Sequence, residues 1–268
     1  MPDNLSPSPG HGIHFCVLAS GSKGNAVYVS DGETTVLIDA GLSGKELEKR
    51  MRRRNLSPER INAIVVSHEH TDHIRGVGVM ARRYQVPVYL TPGTGQNGSG
   101  LLGRITDVFH FQPGHSFCIQ TLAFHPFALP HDAADPSGFT VASRGVKLGI
   151  ATDLGIAPAM VQAHLADCQA LVLEANHDPH MLVEGPYPWP LKQRIAGRTG
   201  HLSNADSRDL LGRVRHDALR HVVLAHLSEV NNTPECALNV VAEGLGPCRA
   251  KLTVATQDQP TELITILS

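Results

Sequence analysis

The stretch His68-Glu69-His70-Thr71-Asp72-His73 places three imidazoles and the Asp72 carboxylate within six residues. Such a cluster can hold two metal ions about 3.5–4 Å apart, the spacing used in two-metal hydrolysis. The run 61–66 just before it is short and rich in β-branched residues, which predicts a buried strand. Its end delivers His68 and His70 to one side of the chain. Asp72 and His73 then face a second position as the chain turns into a helix predicted through Tyr84. In a chain with 16 histidines the plainer reading is a polar loop of surface imidazoles. Four ligand-type residues on a strand-to-helix turn favour metal binding over it.

One loop cannot fill a two-metal site, so further ligands must come from other strand ends. His131 follows the apolar segment 122–130, Asp153 follows 147–152, and His226 follows 221–225. Ligands of an α/β sheet converge on one edge from such positions, which makes these three the candidates to complete the site.

The elements that would carry them alternate. Strands are predicted over 15–19, 26–30 and 35–39, then a helix over 43–54 and a helix start at Ser57-Pro58-Glu59. The middle reads as strands over 87–90, 105–111, 117–127, 138–142 and 146–151. Helices are predicted over 157–166, 204–215 and 234–243, with strands over 170–174, 221–225, 251–255 and 263–267. This order suits an α/β fold of mixed sheets covered by helices, in one domain over 13–268. Residues 1–12 read as a disordered tail rich in Pro, Ser and Gly, without a signal-peptide pattern.

Composition narrows the function. No apolar run approaches a membrane span. The five cysteines (Cys16, Cys118, Cys168, Cys236 and Cys248) form no CxxC pair, which predicts reduced, buried thiols, no disulfide and a cytoplasmic protein. A formal charge of −2 argues against a broad basic face for nucleic acid, although bound divalent ions would add positive charge where a phosphate docks. Locally, Lys192, Arg194, Arg198, Arg208, Arg213 and Arg215 outnumber Asp206 and Asp209. The basic run at 50–54 reads as a solvated helix end that suits the helix dipole.

Several stretches carry a family resemblance. They are Leu-Ala-Ser-Gly-Ser-Lys-Gly-Asn at 18–25, Ile-Asp-Ala-Gly-Leu-Ser-Gly at 38–44, the His68 cluster, His-Asp-Ala at 131–133 and Thr-Asp-Leu-Gly at 152–155. They continue with Glu-Ala-Asn-His-Asp at 174–178, Gly-Pro-Tyr-Pro at 185–188, Gly-His-Leu-Ser-Asn at 200–204 and Leu-Ala-His-Leu-Ser at 224–228. In this order they resemble a metallo-β-lactamase-fold hydrolase, in the YycJ/WalJ-like exonuclease branch. The resemblance implies an αββα sandwich with a dinuclear centre at one sheet edge. It implies His68, His70 and His131 on one metal, Asp72, His73 and His226 on the other, and Asp153 between them. The donors suit zinc, manganese or iron; the nuclease branch implies manganese.

The activity so implied is hydrolysis of a DNA phosphodiester, as a 5′→3′ exonuclease, by a metal-activated hydroxide. Asp72 and His201 are the candidate catalytic residues; in the related tRNA 3′-end endonucleases a comparable histidine contacts the scissile phosphate. Asn25, His177, Ser203 and Asn204 are candidate substrate contacts, although Ser203 and Asn204 also suit a helix cap and His177 a packing role. The loop 20–25 could present backbone amides to a phosphate or simply form a tight turn. The interval from Asp153 to His226 is too short for the large cap of β-CASP nucleases, which predicts an open site. A small ester, thioester or cyclic phosphodiester substrate would share nearly every site residue. A non-catalytic regulatory module would need a damaged ligand set.

Overall fold

A computed structural model describes residues 12–267. Among these described residues fourteen strands form two seven-stranded sheets. The chain opens with β1 (Gly12–Ala19), β2 (Ala26–Ser30) and β3 (Thr35–Ile38), then α1 (Gly44–Arg53), β4 (Ala63–Val65), α2 (Thr71–Ile74) and α3 (Val77–Tyr84). It continues through β5 (Val88–Leu90), α4 (Pro92–Leu102), β6 (Val108–His110), β7 (Phe117–Ile119), β8 (Leu122–Ala128), β9 (Ser137–Ser143) and β10 (Val146–Ala151). The last part runs α5 (Ala159–Leu165), β11 (Ala170–Glu174), α6 (Pro179–Glu184), α7 (Trp189–Ile195), α8 (Asn204–Val214), β12 (His221–Ala225), α9 (Pro234–Ala242), β13 (Lys251–Val254) and β14 (Ile264–Leu267).

The sheets run β14-β1-β2-β3-β4-β5-β6 and β13-β12-β11-β10-β9-β8-β7. Apolar residues of both inner faces, among them Phe15, Val36, Phe124, Phe139 and Val172, make one central core. The first sheet buries its outer face with Leu47 and Met51 of α1 and Met80 of α3. The second does so with Val161 of α5, Leu211 of α8 and Val241 of α9. This is an αββα sandwich, as expected. No helix among the described residues is long and apolar enough to cross a membrane.

Strand direction explains why one edge collects the chemistry. β3 and β4 are parallel, and β10, β11 and β12 are parallel. β8 pairs antiparallel with β9, which pairs antiparallel with β10, so β8 shares β10's direction. The same logic through β2 aligns β1 with β3. The C-terminal ends of these strands carry Asp39, His68, His131, Asp153, Glu174 and His226. Bonds across the sandwich tie the edge together: Ser137 N–H donates to Ser67 O at 3.1 Å, and His226 N–H to Ser20 Oγ at 2.6 Å. Asp39, Asp153 and His226 have φ of 60°, 65° and 57°, a region that Asp, Asn and His enter more readily than most side chains.

Several expectations are corrected. Of the predicted tail, residues 1–11 lie outside the described residues, while Gly12 opens β1. The predicted strand 117–127 is a hairpin turning at Gln120, whose φ is 49°. The helix after the cluster is broken between Ile74 and Val77, where Gly76 N–H donates to Ala40 O. Helices α4, α6 and α7 had no counterpart in the sequence reading. Arg50 is buried, not solvated: its Nη1 donates to Leu18 O and Gln257 O at 3.1 and 2.6 Å. All five cysteines are free; Cys118 is exposed, while burial pushes the Cys16 and Cys168 thiols up to about 11 and 12.

Two glycines permit close approach at the edge. A Cβ on Gly41 would sit 1.6 Å from Asp72 O, and one on Gly155 would sit 2.4 Å from Gly197 O. Gly41→Ala is therefore expected to lower unfolding free energy by about 1–3 kcal/mol in urea titrations. Gly212→Ala in α8, where the nearest neighbour is Gly244 O at 3.8 Å, is expected to raise it by about 0.4–1 kcal/mol.

Candidate metal centre

The histidine donors at the edge are oriented from behind. Asp39 Oδ2 accepts from the Oγ of Ser67 and from His73 Nδ1, both at 2.8 Å, while Asp39 Oδ1 accepts from Ser67 N–H at 2.8 Å. With its proton on Asp39, Ser67 Oγ accepts from His68 Nδ1 at 3.0 Å. His131 Nδ1 donates to Gly200 O at 3.1 Å. Glu174 Oε1 accepts from His201 Nδ1 at 2.8 Å and His226 Nδ1 at 2.9 Å. A carbonyl or carboxylate can only accept, so each of these rings keeps its proton on Nδ1 and offers Nε2. A partner behind the ring is the arrangement that fixes metal-binding imidazoles.

The offered atoms converge. Ligand atoms of His68, His70 and His131 lie within 4.8 Å of one another, and so do those of Asp72, His73 and His226. Asp153 lies between the two groups, with Oδ2 3.3 Å from His73 Nε2 and Oδ1 4.0 Å from His131 Nε2. His68 Nε2, Asp153 Oδ2 and His226 Nε2 are buried without a hydrogen-bond partner. Orphaned buried polar atoms of this kind call for a ligand, and this nitrogen and oxygen set fits divalent cations. Glu174 also neighbours Asp153, His201 and His226, yet it is a poor ligand. Oε1 already holds two imidazoles, and Oε2 accepts from Leu154 N–H at 3.0 Å and Leu202 N–H at 3.1 Å.

Electrostatics point the same way. Burial would favour neutral acids, but His226 and His73 hold Asp153 well below the usual carboxylate range, and His73 and His226 do the same for Asp72. Burial likewise opposes ionised Glu174, yet the His201 charge and hydrogen bonds from His201 and His226 hold it at about 2. Burial pushes His68 and His131 below the ordinary histidine value, so their lone pairs are available at neutral pH. His73 and His226 go the other way: burial is overcome by Asp153 together with Asp39 and Asp72, or Asp72 and Glu174, so both rings are driven toward their charged form. The pocket of buried carboxylates demands positive charge, from protons or from metal.

A cavity of about 300 Å³ opens above these groups, lined by His70, Asp72, Asp153, His201 and His226 below and by residues of the 187–195 segment at the side. Among the described residues no large cap covers the site, although α7 walls it. His201 lines the cavity. Asn25, His177, Ser203 and Asn204 do not. Asn25 Nδ2 instead donates to Asp72 Oδ2 at 3.1 Å and to Gly21 O at 3.1 Å, bracing the Asp72 carboxylate. His177 is buried and bridged to Ser203 through its backbone. Ser203 caps α8 in a capping box with Asp206, and Asn204 is fully buried against Asn232 at 2.9 Å. The amides of loop 20–25 are largely spent: Ser20, Gly21, Lys23, Gly24 and Asn25 donate to Thr256 O, Asn25 Oδ1, Gln257 Oε1, Gly21 O and Asp72 O. The turn reading of that loop prevails over the phosphate cradle. The basic cluster also divides. Arg194 lines the cavity, whereas Arg208 pairs with Asp209 and Glu243, and Arg215 donates to Gly244 O.

Asp39 and Glu174 escaped the sequence reading as site residues. Each is an acid at the end of an apolar strand, the signal that singled out Asp153.

Comparison with known proteins agrees with this geometry. The beta-lactamase superfamily domain profile matches residues 34–227. Exodeoxyribonuclease YycJ of Bacillus anthracis is 40% identical over 236 residues, covering 87% of this chain and 89% of that protein. Exodeoxyribonuclease WalJ of Streptococcus pneumoniae is 35% identical, covering 84% and 86%. The crystal structure of the metallo-beta-lactamase fold protein YhfI from Bacillus subtilis superposes with a TM-score of 0.72 at 14% identity, over 94% of this chain and 99% of that one. A superfamily profile across most of the chain, and a relative matched over nearly its whole length, make this protein a member of the metallo-β-lactamase-fold hydrolases, in the branch of the YycJ and WalJ exodeoxyribonucleases.

Proposed function

We propose that the chain is a dinuclear metal-dependent 5′→3′ exodeoxyribonuclease of the cytoplasm. The observation that carries this reading is the pair of converging donor groups with Asp153 between them, in a chain 40% identical to a protein named exodeoxyribonuclease. His68, His70 and His131 would hold one divalent ion, Asp72, His73 and His226 the other, and Asp153 both. Manganese is the ion favoured for a nuclease of this branch, with zinc or iron compatible with the same donors. When bound, such ions supply a nucleophilic hydroxide at neutral pH and withdraw charge from the phosphoryl oxygen.

The chain's own residues do the rest. Asn25 holds the Asp72 carboxylate in place, and Asp39 and Glu174 fix Nδ1 of His73 and His226, so that Nε2 is the atom each ring would turn to a metal. His201 faces the cavity with Nδ1 anchored on Glu174, so its Nε2 is the atom able to bring a proton to the leaving 3′-oxygen. A nitrophenolate leaves without that help, whereas a sugar alkoxide does not.

DNA labelled at the 5′ or the 3′ end and incubated with manganese tests the reading. Labelled mononucleotide should appear first from the 5′-labelled strand, and Asp72→Ala should lower the rate by more than about 100-fold, beyond the loss typical of an outer-shell change. Intact DNA beside rapid hydrolysis of a small carboxylic ester would overturn it. His201→Ala should lower kcat on DNA by about 10²–10⁴-fold, and far less on a nitrophenyl phosphodiester. Glu174→Gln, which keeps the shape but weakens the hold on two rings, should cost about 10–100-fold in metal affinity measured by chelator competition.

A further inference from the structure

The cavity has two unlike sides. Its floor is ionic, but Tyr187, Leu191 and Ile195 line the side formed by α7 and the turn before it. Leu191 and Ile195 are four residues apart on one helix face. Neither joins any of the three apolar clusters of the fold, and α7 buries none of its residues. An apolar helix face withheld from the core and turned to a reaction site is a surface for a ligand.

The wall is fixed nonetheless. Lys192 Nζ donates to Val183 O at 2.5 Å, Arg194 Nε to Asp132 Oδ2 at 2.5 Å, and His201 N–H to Ile195 O at 2.9 Å. Arg194 also lines the cavity, and its Nη donors have no partner among the described residues. The Tyr187 hydroxyl is likewise without a partner among them.

An ionic floor, an apolar wall and one cation beside them match the parts of a nucleotide: phosphodiester, base with sugar, and neighbouring phosphate. We infer that Tyr187, Leu191 and Ile195 form the pocket for the unpaired terminal nucleotide, with Arg194 taking the phosphate next to the scissile one. This rests on the exonuclease reading and adds where specificity resides. Leu191 and Ile195 offer no donor or acceptor to a base edge, and the face of the Tyr187 ring can stack on any base, so this wall does not select by sequence. At about 300 Å³ the cavity is at the small end of ligand sites, on the scale of a single nucleotide. An unpaired nucleotide reaches this pocket from a duplex only when the duplex end opens, as when enzymes take a base out of the stack.

The test compares kcat/KM on a single-stranded oligonucleotide with that on methyl 4-nitrophenyl phosphate, a diester without a nucleoside. The oligonucleotide-to-diester ratio should fall at least about tenfold in Tyr187→Ala and in Leu191→Glu, in keeping with the loss of base stacking. Leu191→Glu is the second variant because α7 buries no residue in the core. Trp189→Ala, on the same helix, 62% exposed and not lining the cavity, should leave the ratio at the wild-type value. A duplex with a mismatched terminal pair should be cut faster than one ending in a G·C pair. Unchanged ratios in both wall variants, with wild-type DNA cleavage intact, would overturn the pocket alone. Wild-type protein that hydrolyses the diester but leaves DNA whole would overturn the nuclease reading and the pocket with it.

Discussion

The site depends on acceptors placed behind its histidines. Asp39 and Glu174 sit at the C-terminal ends of β3 and β11, buried, each bound to imidazole Nδ1 atoms. Their hold decides which nitrogen of His73, His201 and His226 carries the proton and which faces the cavity. Ser67 extends the same control to His68, and the Gly200 carbonyl extends it to His131. An imidazole without such a partner presents either nitrogen, and a ligand set so disordered would cost affinity for metal.

That arrangement concentrates buried negative charge. Buried Asp39, Asp153 and Glu174 gather at one edge beside the half-buried Asp72, and an uncompensated buried carboxylate is costly. The fold meets the cost with chain geometry: parallel strands stop together, and Asp39, Asp153 and His226 take up left-handed backbone just beyond their strands. Such conformations persist where surrounding structure holds them, typically at functional sites. Here hydrogen bonds from the Asp39 N–H to Val65 O and from the His226 N–H to Ser20 Oγ supply part of that hold.

Much of this was legible in the residues. The His68 cluster and the rule that ligands follow apolar strands brought His131, Asp153 and His226 together, because the strands concerned run parallel. The same rule went unused for Asp39 and Glu174 because the strands predicted over 35–39 and 170–174 end on them, so both read as ordinary strand residues. Helix α4 was hidden by Pro-Gly-Thr-Gly-Gln-Asn-Gly-Ser-Gly, a poor helix sequence. It forms through the Thr91 cap and the fit of Gly98 against Ile74. Asn25 was singled out for its loop, but a turn whose amides are already spent has little left for substrate. The α7 wall went unseen because prolines at 186, 188 and 190 interrupt any apolar period.

Metal content read beside activity decides whether this sheet edge is a two-metal hydrolytic site. The purified chain, stripped by chelator and reloaded, should bind two divalent ions per chain by elemental analysis. DNA cleavage should vanish and return with them. One ion per fully active chain, or cleavage that survives complete removal of metal, would contradict a dinuclear metal-dependent nuclease.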